Sequence, residues 1–507
     1  MIKKAIPFKP FFVDQTVLLL ISLGVVVFHT LTNGQYGFHR DELDILMNAR
    51  HLDWGYVAYP PFTPFIASIG LALFGTSLVG LRFAAALGQG VVAFLVGNMA
   101  RDMGGNRLAQ VFTMLAAAIA PIAMITGMLI QYMSFDYLWW VVLAFFVVRL
   151  LATNDPRWWL GVGAAIGLGM MTKYTMIFFI AGLAGAFVLT SMRRYFFSKW
   201  LWAGIGLALI IFLPNLIWQI QNGFISLEFL SSIHMRDIQN GRGNDFLINQ
   251  LYTCLNPLTL PLWLAGLIFT FFTSQGKRFR PLAWMYLITF GLLLFSRGRY
   301  YYVAPAYPML LSAGCVWFEG WLVQRPLATA RWIKGAAWTM LLIAGIAAAL
   351  FSKPIAPINS PVWDLAIQVN ETFVEMVGWP DLAAEVAGVY ATIPEAEKPR
   401  TTILAGNYGE AGALELYGAQ YHLPPVISGA NSLWKRGFGN PPPETIITVG
   451  FDLVNALHFM NECEYAGQVS NGYGVKNEET TARLDMYICR QPRQPWNEMW
   501  ANLQWFQ

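Results

Sequence analysis

Residues 17–28 read VLLLISLGVVVF and lie at the centre of an apolar stretch over residues 13–32. A helix needs about 20 mostly apolar residues to cross a bilayer, so this stretch is long enough to span one. Stretches of the same kind recur along the chain. They lie near residues 77–100, 107–127, 134–151, 158–172, 174–192, 200–219, 246–273, 281–296, 300–322 and 332–351. The sequence therefore predicts a polytopic α-helical membrane protein with about eleven transmembrane helices.

The composition agrees with this class and excludes others. Of the 507 residues, 56% are hydrophobic and 12% are charged, whereas soluble domains usually contain about 25% charged residues. A disordered chain is excluded because disorder combines low hydrophobicity with high net charge. The four cysteines are too few for a disulfide-dense secreted scaffold, and the net charge of +4 does not indicate nucleic-acid binding.

The charge of the chain changes sign near residue 352. Residues 1–351 contain 24 Lys and Arg against 12 Asp and Glu, whereas residues 352–507 contain 9 against 17. Three prolines between residues 354 and 361 favour a boundary there. We therefore predict a transmembrane domain over residues 1–351 and a C-terminal soluble α/β domain over 352–507. Thr401–Ala405 and Thr445–Val449 are its clearest β-rich runs.

The basic residues of the first part indicate an orientation, because Lys and Arg are enriched in cytoplasmic loops. The basic loops share one side if the short apolar stretch at residues 60–75 is interfacial or re-entrant. The residues that define this side are Lys3, Lys4, Lys9, Arg101, Arg107, Arg149, Arg157, Arg193, Arg194, Lys199, Lys277, Arg278, Arg280, Arg325, Arg331 and Lys334. The N-terminus is thus predicted to be cytoplasmic, with the first outer loop (33–76) and the C-terminal domain external.

The first outer loop contains the string HRDEL at residues 39–43. Residues 41–52 are predicted to form a short amphipathic helix that lies on the membrane. Asp41 and Glu42 would then sit at its N-terminus, where the helix dipole stabilises negative charge. A carboxylate there can act as a general base or hold a cation. The alternative is that the pair only caps the helix.

Two further ionisable residues lie within apolar runs. Asp136 begins one predicted span, and Lys173 separates two others. Ionisable groups at membrane depth are costly and usually functional, so we predict roles for both. Acids in the outer loops, such as Asp53 and Asp245, are more simply explained as solvated loop residues.

Several strings taken together resemble one family. They are HRDEL at 39–43, WGY at 54–56, YPP at 59–61, LGMMTKYT at 168–175, YYVAPAYP at 301–308, GNYGEAGA at 406–413 and PPVISG at 424–429. The set resembles the GT-C membrane glycosyltransferases. It is most similar to the bacterial branch related to protein mannosyltransferases and aminoarabinose transferases. The resemblance covers nearly the whole chain.

The resemblance implies a multi-pass enzyme of the bacterial inner membrane. Such an enzyme moves a hexosyl or pentosyl group from a polyprenyl-phosphate donor to an acceptor hydroxyl at the external face. The acceptor is a glycan, a lipid or a protein. The family's general base is the first acid of the pair, here Asp41, and Glu42 would orient the loop or a bound group. Asp136 matches the family's second acidic position, which positions the acceptor or, in some members, binds a metal.

The leaving lipid phosphate requires positive charge near it. Its predicted ligands are Lys173, Arg297 and Arg299 as cations, with Tyr174, Tyr301 and Tyr302 as hydrogen-bond donors. The alternative for the tyrosines is an interfacial aromatic belt.

His234, Arg236 and Asp237 form a second polar cluster, which is predicted to lie in an outer loop and to close over the donor or acceptor. His39 and Arg40 of the first outer loop are further candidates for this role. Histidines and carboxylates are common metal ligands, but their spacing here defines no site. A divalent metal therefore stays open, and the only cofactor-like molecule predicted is the polyprenyl-phosphate sugar.

The C-terminal region adds two expectations. Cys463 and Cys489 are predicted to form a disulfide, because this region is assigned to an oxidising compartment. Residues 406–409 (GNYG) lie between a predicted strand and a predicted helix. They form either an anion site at the helix N-terminus or only a tight glycine turn.

Two other classes of protein compete with the transferase. A transporter or flippase should show internal repeats with broken helices in each half, and the sequence shows neither clearly. A non-catalytic envelope scaffold should tolerate Asp41→Asn, whereas a transferase should not.

Overall fold

The computed structural model describes residues 11–507, with side chains from residue 15 onward. The predicted cytoplasmic residues Lys3, Lys4 and Lys9 lie outside this range. The first part of the chain is helical. Its α-helices are α1 (Phe11–Thr32), α2 (Arg40–Arg50), α3 (Phe62–Phe74), α4 (Leu78–Asp102), α5 (Arg107–Ala118), α6 (Pro121–Thr126), α7 (Tyr132–Thr153), α8 (Trp158–Met170), α9 (Met176–Leu189), α10 (Lys199–Gln221), α11 (Ile225–Gln239), α12 (Phe246–Asn249), α13 (Leu260–Phe272), α14 (Arg280–Phe295), α15 (Tyr307–Val323) and α16 (Leu327–Ser352).

Six helices within residues 11–507 are long and apolar enough to cross a membrane. They are Gln15–Thr32, Leu78–Asp102, Tyr132–Thr153, Lys199–Gln221, Gly276–Phe295 and Leu327–Ser352. The number rises to eight if two bent pairs, Met176–Phe197 and Phe246–Phe272, each count as one span. The expected total of about eleven crossings stays a prediction.

Some predicted spans are not single helices, and the sequence contains the reason. Pro121 begins α6 and ends the continuity with α5, because proline cannot continue a helix. Residues 246–273 break at a π-helical turn, Gln250–Cys254, and bend by 90° before α13. A 3₁₀ helix, Tyr300–Ala306, precedes α15.

The C-terminal part contains helices and a five-stranded sheet. The helices are α17 (Pro361–Val369), α18 (Trp379–Ala391), α19 (Tyr408–Tyr417), α20 (Leu453–Phe459), α21 (Glu478–Thr481) and α22 (Trp496–Trp500). The strands are β1 (Thr401–Ala405), β2 (Val426–Ile427), β3 (Thr445–Val449), β4 (Met460–Gln468) and β5 (Asp485–Pro492), in the order β2-β1-β3-β5-β4. β1 is parallel to β2 and β3, and β5 is antiparallel to β3 and β4. Cys463 on β4 and Cys489 on β5 form a disulfide.

The helix α2 lies between the two parts of the molecule. Residues 42–49 are all buried, so the expectation of a helix lying on the membrane surface is wrong. The reason is that α19 packs across it. A Cβ atom on Gly412 would lie 2.7 Å from Leu43 Cβ, and one on Gly409 would lie 3.0 Å from Arg40 Cβ. These glycines let α19 approach α2 closely, and they bring the C-terminal part next to the acidic pair.

Candidate active site

The acidic pair stands at the N-terminus of α2, as its position in the sequence predicts. His39 is the N-cap, and its Nδ1 accepts a hydrogen bond of 3.2 Å from the backbone N–H of Asp41. The Glu42 carboxylate accepts the backbone N–H of His39 at 2.8 Å. These two bonds satisfy backbone N–H groups at the start of α2 and fix the backbone there.

Glu42 is fully enclosed by protein. Its two oxygens accept hydrogen bonds of 3.0 and 2.6 Å from Arg82 on α4, and Oε1 also accepts the backbone N–H of Ile130 at 2.9 Å. Neither the Glu42 side chain nor the Arg82 side chain is exposed to solvent. Glu42 is therefore bonded to α4 and to the backbone at Ile130, and it does not face an open site. Arg82 is absent from the predicted site, although an arginine inside an apolar run carries the same signal as Asp136 and Lys173.

Asp41 keeps part of its carboxylate open. Oδ1 accepts a 2.8 Å hydrogen bond from the hydroxyl of Tyr408, and Oδ2 accepts one of 3.1 Å from Gln131 Nε2. His39 Nδ1 lies 3.9 Å from Oδ2, and a quarter of the side chain is exposed. A carboxylate has about four lone-pair sites. Two hydrogen bonds leave some of these sites free, so Asp41 can still accept a proton from another group.

Lys173 lies in the loop between α8 and α9 inside a cage of tyrosines. Its Nζ is 4.2 Å from the ring centroid of Tyr302, 4.6 Å from that of Tyr132 and 5.6 Å from that of Tyr301. The Nζ atom is buried and has no hydrogen-bond partner among the residues that the structure describes. The ring faces attract the cation, but they leave all three of its N–H donors unused.

Asp136 interacts electrostatically with this lysine and is also buried. Its Oδ1 accepts Trp140 Nε1 at 3.0 Å, and its Oδ2 accepts the hydroxyl of Thr175 at 2.8 Å. The charges of Asp136, Arg299 and Asp41 act on Lys173, in that order of strength. The structure thus brings together Asp41, Asp136 and Lys173, which are far apart in sequence.

Arg299 joins this group through Asp237. Arg299 donates to the Asp237 carboxylate at 2.6 and 3.1 Å and to the hydroxyl of Tyr301 at 2.9 Å. Arg242 contacts the same carboxylate at 3.4 Å. Residues 234–237, which are predicted to lie in an outer loop, form the end of the helix α11, and this helix brings Asp237 to the arginine. Their external position stays a prediction.

The other predicted residues have different surroundings. The Tyr174 hydroxyl donates to Asn215 at 3.0 Å and accepts from Gln219 at 2.7 Å, so it ties its loop to α10. Arg297 and His234 are exposed. Arg236 is half-buried and interacts electrostatically with Asp237 and Arg299.

Arg40 and the C-terminal part meet beside Asp41. The Arg40 guanidinium lies 5.0 Å from the ring centroid of Tyr408 and forms ion pairs with Glu375, at 3.3 Å, and Glu478. Burial, followed by the negative charge of Asp41, raises the pKa of Tyr408 well above its usual range. The tyrosine hydroxyl therefore remains a donor.

A second acid on α2 is used internally. Asp44, one turn after Asp41, accepts the hydroxyl of Tyr59 and an amide hydrogen bond of 3.3 Å from Asn48. Burial raises the pKa of Asp44 to about 6, although the Tyr59 hydrogen bond opposes this rise. Asp44 fastens the helix to the loop that follows it.

The GNYG segment does not leave a free helix N-terminus. Asn407 accepts the backbone N–H of Glu410 at 2.8 Å, and the Glu410 carboxyl group accepts those of Gly406 and Asn407 at 3.0 and 3.1 Å. The chain's own carboxyl group thus occupies the position that an anion would take. Within residues 11–507, no group of three or more His, Cys, Asp or Glu side chains is arranged to hold a metal ion.

Comparison with known proteins finds relatives of one kind. Residues 58–218 match the family described as dolichyl-phosphate-mannose-protein mannosyltransferase. The chain is 26% identical, over 334 residues, to undecaprenyl phosphate-α-4-amino-4-deoxy-L-arabinose arabinosyl transferase 1 of Pseudomonas fluorescens (strain Pf0-1). That match covers 62% of this chain and 56% of the relative, so the chain spans little more than half of the relative's length.

A second relative and a solved structure agree with this. Lipid A galacturonosyltransferase RgtD of Rhizobium johnstonii is 24% identical over 351 residues, which cover 67% of this chain and 71% of that protein. The crystal structure of ArnT from Cupriavidus metallidurans in the apo state has a similar fold, with a TM-score of 0.57 and 17% identity. The similarity covers 93% of this chain and 98% of that one. The predicted resemblance to GT-C membrane glycosyltransferases of the aminoarabinose-transferase and mannosyltransferase type is confirmed.

Proposed function

We propose that this chain, whose relatives are membrane glycosyltransferases, transfers a hexosyl or pentosyl group from a polyprenyl-phosphate donor to an acceptor hydroxyl at the external face of the bacterial inner membrane. The observation that carries the proposal is the buried ammonium of Lys173. It has no hydrogen-bond partner among the described residues, and it interacts electrostatically with Asp136 and also with Arg299 and Asp41. An anion with oxygen acceptors would satisfy it, since a buried charge without hydrogen bonds is costly.

The donor phosphate is assigned to the cationic side of the site. Lys173 would donate to phosphate oxygens, and Arg299 would add a second positive charge although Asp237 already pairs with it. Tyr301 and Tyr302 stand beside both cations and supply hydroxyl donors. These groups would stabilise the negative charge that develops on the phosphate as the sugar leaves, and such stabilisation is usually a large part of catalysis.

The acceptor is assigned to the open edge of Asp41. In the proposed step, the acceptor hydroxyl oxygen bonds to the anomeric carbon while the bond from that carbon to the phosphate oxygen breaks. The bonding electrons leave with the lipid phosphate, and the hydroxyl proton passes to Asp41. Asp136 is buried beside Lys173 and would hold the lysine and the reacting groups in place without receiving the proton.

The relatives narrow the class of acceptor. One relative is described as acting on lipid A, so a lipid or a lipid-linked glycan is the acceptor class that we favour for this chain. The basic loops support the external face in this proposal, because they favour a topology in which the first outer loop and its acidic pair are on the outside.

The proposal is tested by mass spectrometry of envelope glycans, lipid A and polyprenyl-linked sugars in a deletion strain. The strain is complemented with wild type, with Asp41→Asn or with the control Asp364→Asn, whose carboxylate is exposed on α17. One sugar should disappear from an acceptor on deletion and return with wild type and the control. Asp41→Asn should restore it at least about 100-fold less well. If Asp41→Asn restores it fully at equal expression, Asp41 is not the base.

Transport is the second candidate, because two helix pairs are bent by 97° and 90°. Broken helices are typical of secondary transporters. A flippase moves a lipid-linked sugar without making or breaking a sugar linkage, so its activity should depend little on Asp41. Restoration of the sugar by Asp41→Asn in the same experiment would therefore favour transport over transfer.

A further inference from the structure

We propose that the C-terminal α/β part supplies a residue of the active site: Tyr408 positions the general base Asp41. This inference rests on the proposed transferase function, and it adds a residue from outside the transmembrane part to the site.

The contact is direct and spans the whole fold. The Tyr408 hydroxyl donates a 2.8 Å hydrogen bond to Asp41 Oδ1, although the two residues are 367 positions apart in sequence. Gln131 binds the other oxygen at 3.1 Å. Two donors on different oxygens fix the plane of the carboxylate. Lone pairs remain for an acceptor hydroxyl, which can reach the carboxylate because a quarter of the side chain is exposed.

Tyr408 is itself held in place from two directions. It is the first residue of α19, and the hydrogen bonds between Asn407 and Glu410 fix that helix end. The Arg40 guanidinium covers its ring at 5.0 Å and is paired with Glu375 and Glu478 of the C-terminal part. A tyrosine so constrained can orient another group, because its own side chain has little freedom to move.

The hydrogen bond has a chemical consequence as well as a geometric one. The hydroxyl can donate to Asp41 only while it keeps its own proton. Because burial and the Asp41 charge keep the Tyr408 hydroxyl protonated, the tyrosine acts as a donor and does not compete for the acceptor's proton. Tyr408 is therefore a positioning residue, and Asp41 carries out the chemistry.

The test compares Tyr408→Phe with wild type in the full-length protein. Tyr417→Phe, on the same helix α19, is the matched control. Sugar transfer is measured in the complemented deletion strain and then in purified membranes, with the lipid-linked sugar extract from the deletion strain as donor. Affinity for undecaprenyl phosphate and thermal stability are measured on each purified variant.

We expect Tyr408→Phe to lower the maximal transfer rate about 10-fold or more, because hydrogen bonds to charged groups contribute about that factor or above. The KM for donor and the affinity for undecaprenyl phosphate should stay within about twofold, and Tyr417→Phe should match wild type. A purely structural tyrosine would instead lower thermal stability and raise KM together.

Two results would overturn the inference. One is a wild-type maximal rate in Tyr408→Phe while wild type itself transfers sugar; the other is a loss explained entirely by weaker lipid binding or by unfolding. If Tyr408→Phe does not accumulate, Arg40→Met is measured instead, because it frees the Tyr408 ring but keeps the hydroxyl. An unchanged transfer rate in Arg40→Met also overturns the inference. Absence of transfer by wild type would contradict the proposed function and is thereby distinguished from failure of the Tyr408 assignment.

Discussion

At the scale of single residues, Lys173 is the strongest indication of a ligand. Its ammonium is held by tyrosine ring faces at 4.2–5.6 Å but has no hydrogen-bond acceptor among the residues from 15 to 507. Protein cages of this kind stabilise a cation without saturating its donors. A phosphate oxygen would complete the set with charge-assisted hydrogen bonds, which are about twice as strong as neutral ones.

Lys173→Met should therefore lose both binding and activity. We expect affinity for undecaprenyl phosphate to fall at least about 10-fold and sugar transfer at least about 100-fold. Lys476→Met is the control, because that lysine is exposed in the C-terminal part. Binding is measured by scintillation proximity with labelled lipid in detergent. If Lys173→Met binds the lipid as well as wild type does, the phosphate does not bind at the tyrosine cage.

The acidic pair illustrates what residue patterns can and cannot predict. Asp41 and Glu42 are adjacent and chemically alike, yet one keeps an open edge while the other is fully buried against Arg82. The sequence indicates that the pair matters and that it begins a helix. The division of roles follows from Arg82, which comes from α4, and from Tyr408, which comes from α19. Local patterns do not contain contacts over such separations.

At the scale of elements, α2 and α19 pack closely against each other. The predicted helix at residues 41–52 is present as Arg40–Arg50, and the β-rich runs at 401–405 and 445–449 are strands. The apolar stretches in the sequence do not predict the breaks at Pro121 and near Pro257, because the apolar composition continues across them. Hydropathy reports burial in lipid or protein, not helical continuity.

The N-terminus of α19 is expected to respond to pH. Burial, followed by the negative charge of Glu479, raises the pKa of Glu410 from 4.5 to about 8. The folded protein therefore keeps a proton that the unfolded chain releases above about pH 4.5. This contribution to stability is complete at low pH and is lost as the pH rises through 8. Glu410→Gln keeps an acceptor for the two backbone N–H groups but cannot ionise.

Thermal unfolding of wild type and Glu410→Gln between pH 5 and pH 9 checks this expectation. The variant should melt a few degrees higher than wild type at pH 9, and the difference should vanish near pH 5. Glu462→Gln, exposed on β4, should follow wild type throughout. A constant difference at every pH would mean that the ionisation of Glu410 does not contribute.

At the scale of the whole molecule, the site lies where the helical part and the α/β part share one apolar core. Leu43 and Leu46 of α2 are buried together with Ala413 and Leu414 of α19 and Ile403 of β1. Asp41, its tyrosine donor and the tyrosine cage of Lys173 therefore depend on both parts. Deletion of the C-terminal part would expose this core and remove Tyr408 at the same time.

The whole-molecule arrangement also predicts which side of the membrane holds the site. Residues 1–351 contain twice as many basic as acidic residues, and the basic ones concentrate in loops assigned to the cytoplasm. Alkaline phosphatase fused after Gln507 should be active, and green fluorescent protein fused there should be dark. A fluorescent protein inserted after Gly104, in the loop between the end of α4 at Asp102 and the start of α5 at Arg107, should fluoresce. The opposite pattern would place Asp41, Tyr408 and Lys173 on the cytoplasmic side, and the transferase proposed for the external face would be untenable.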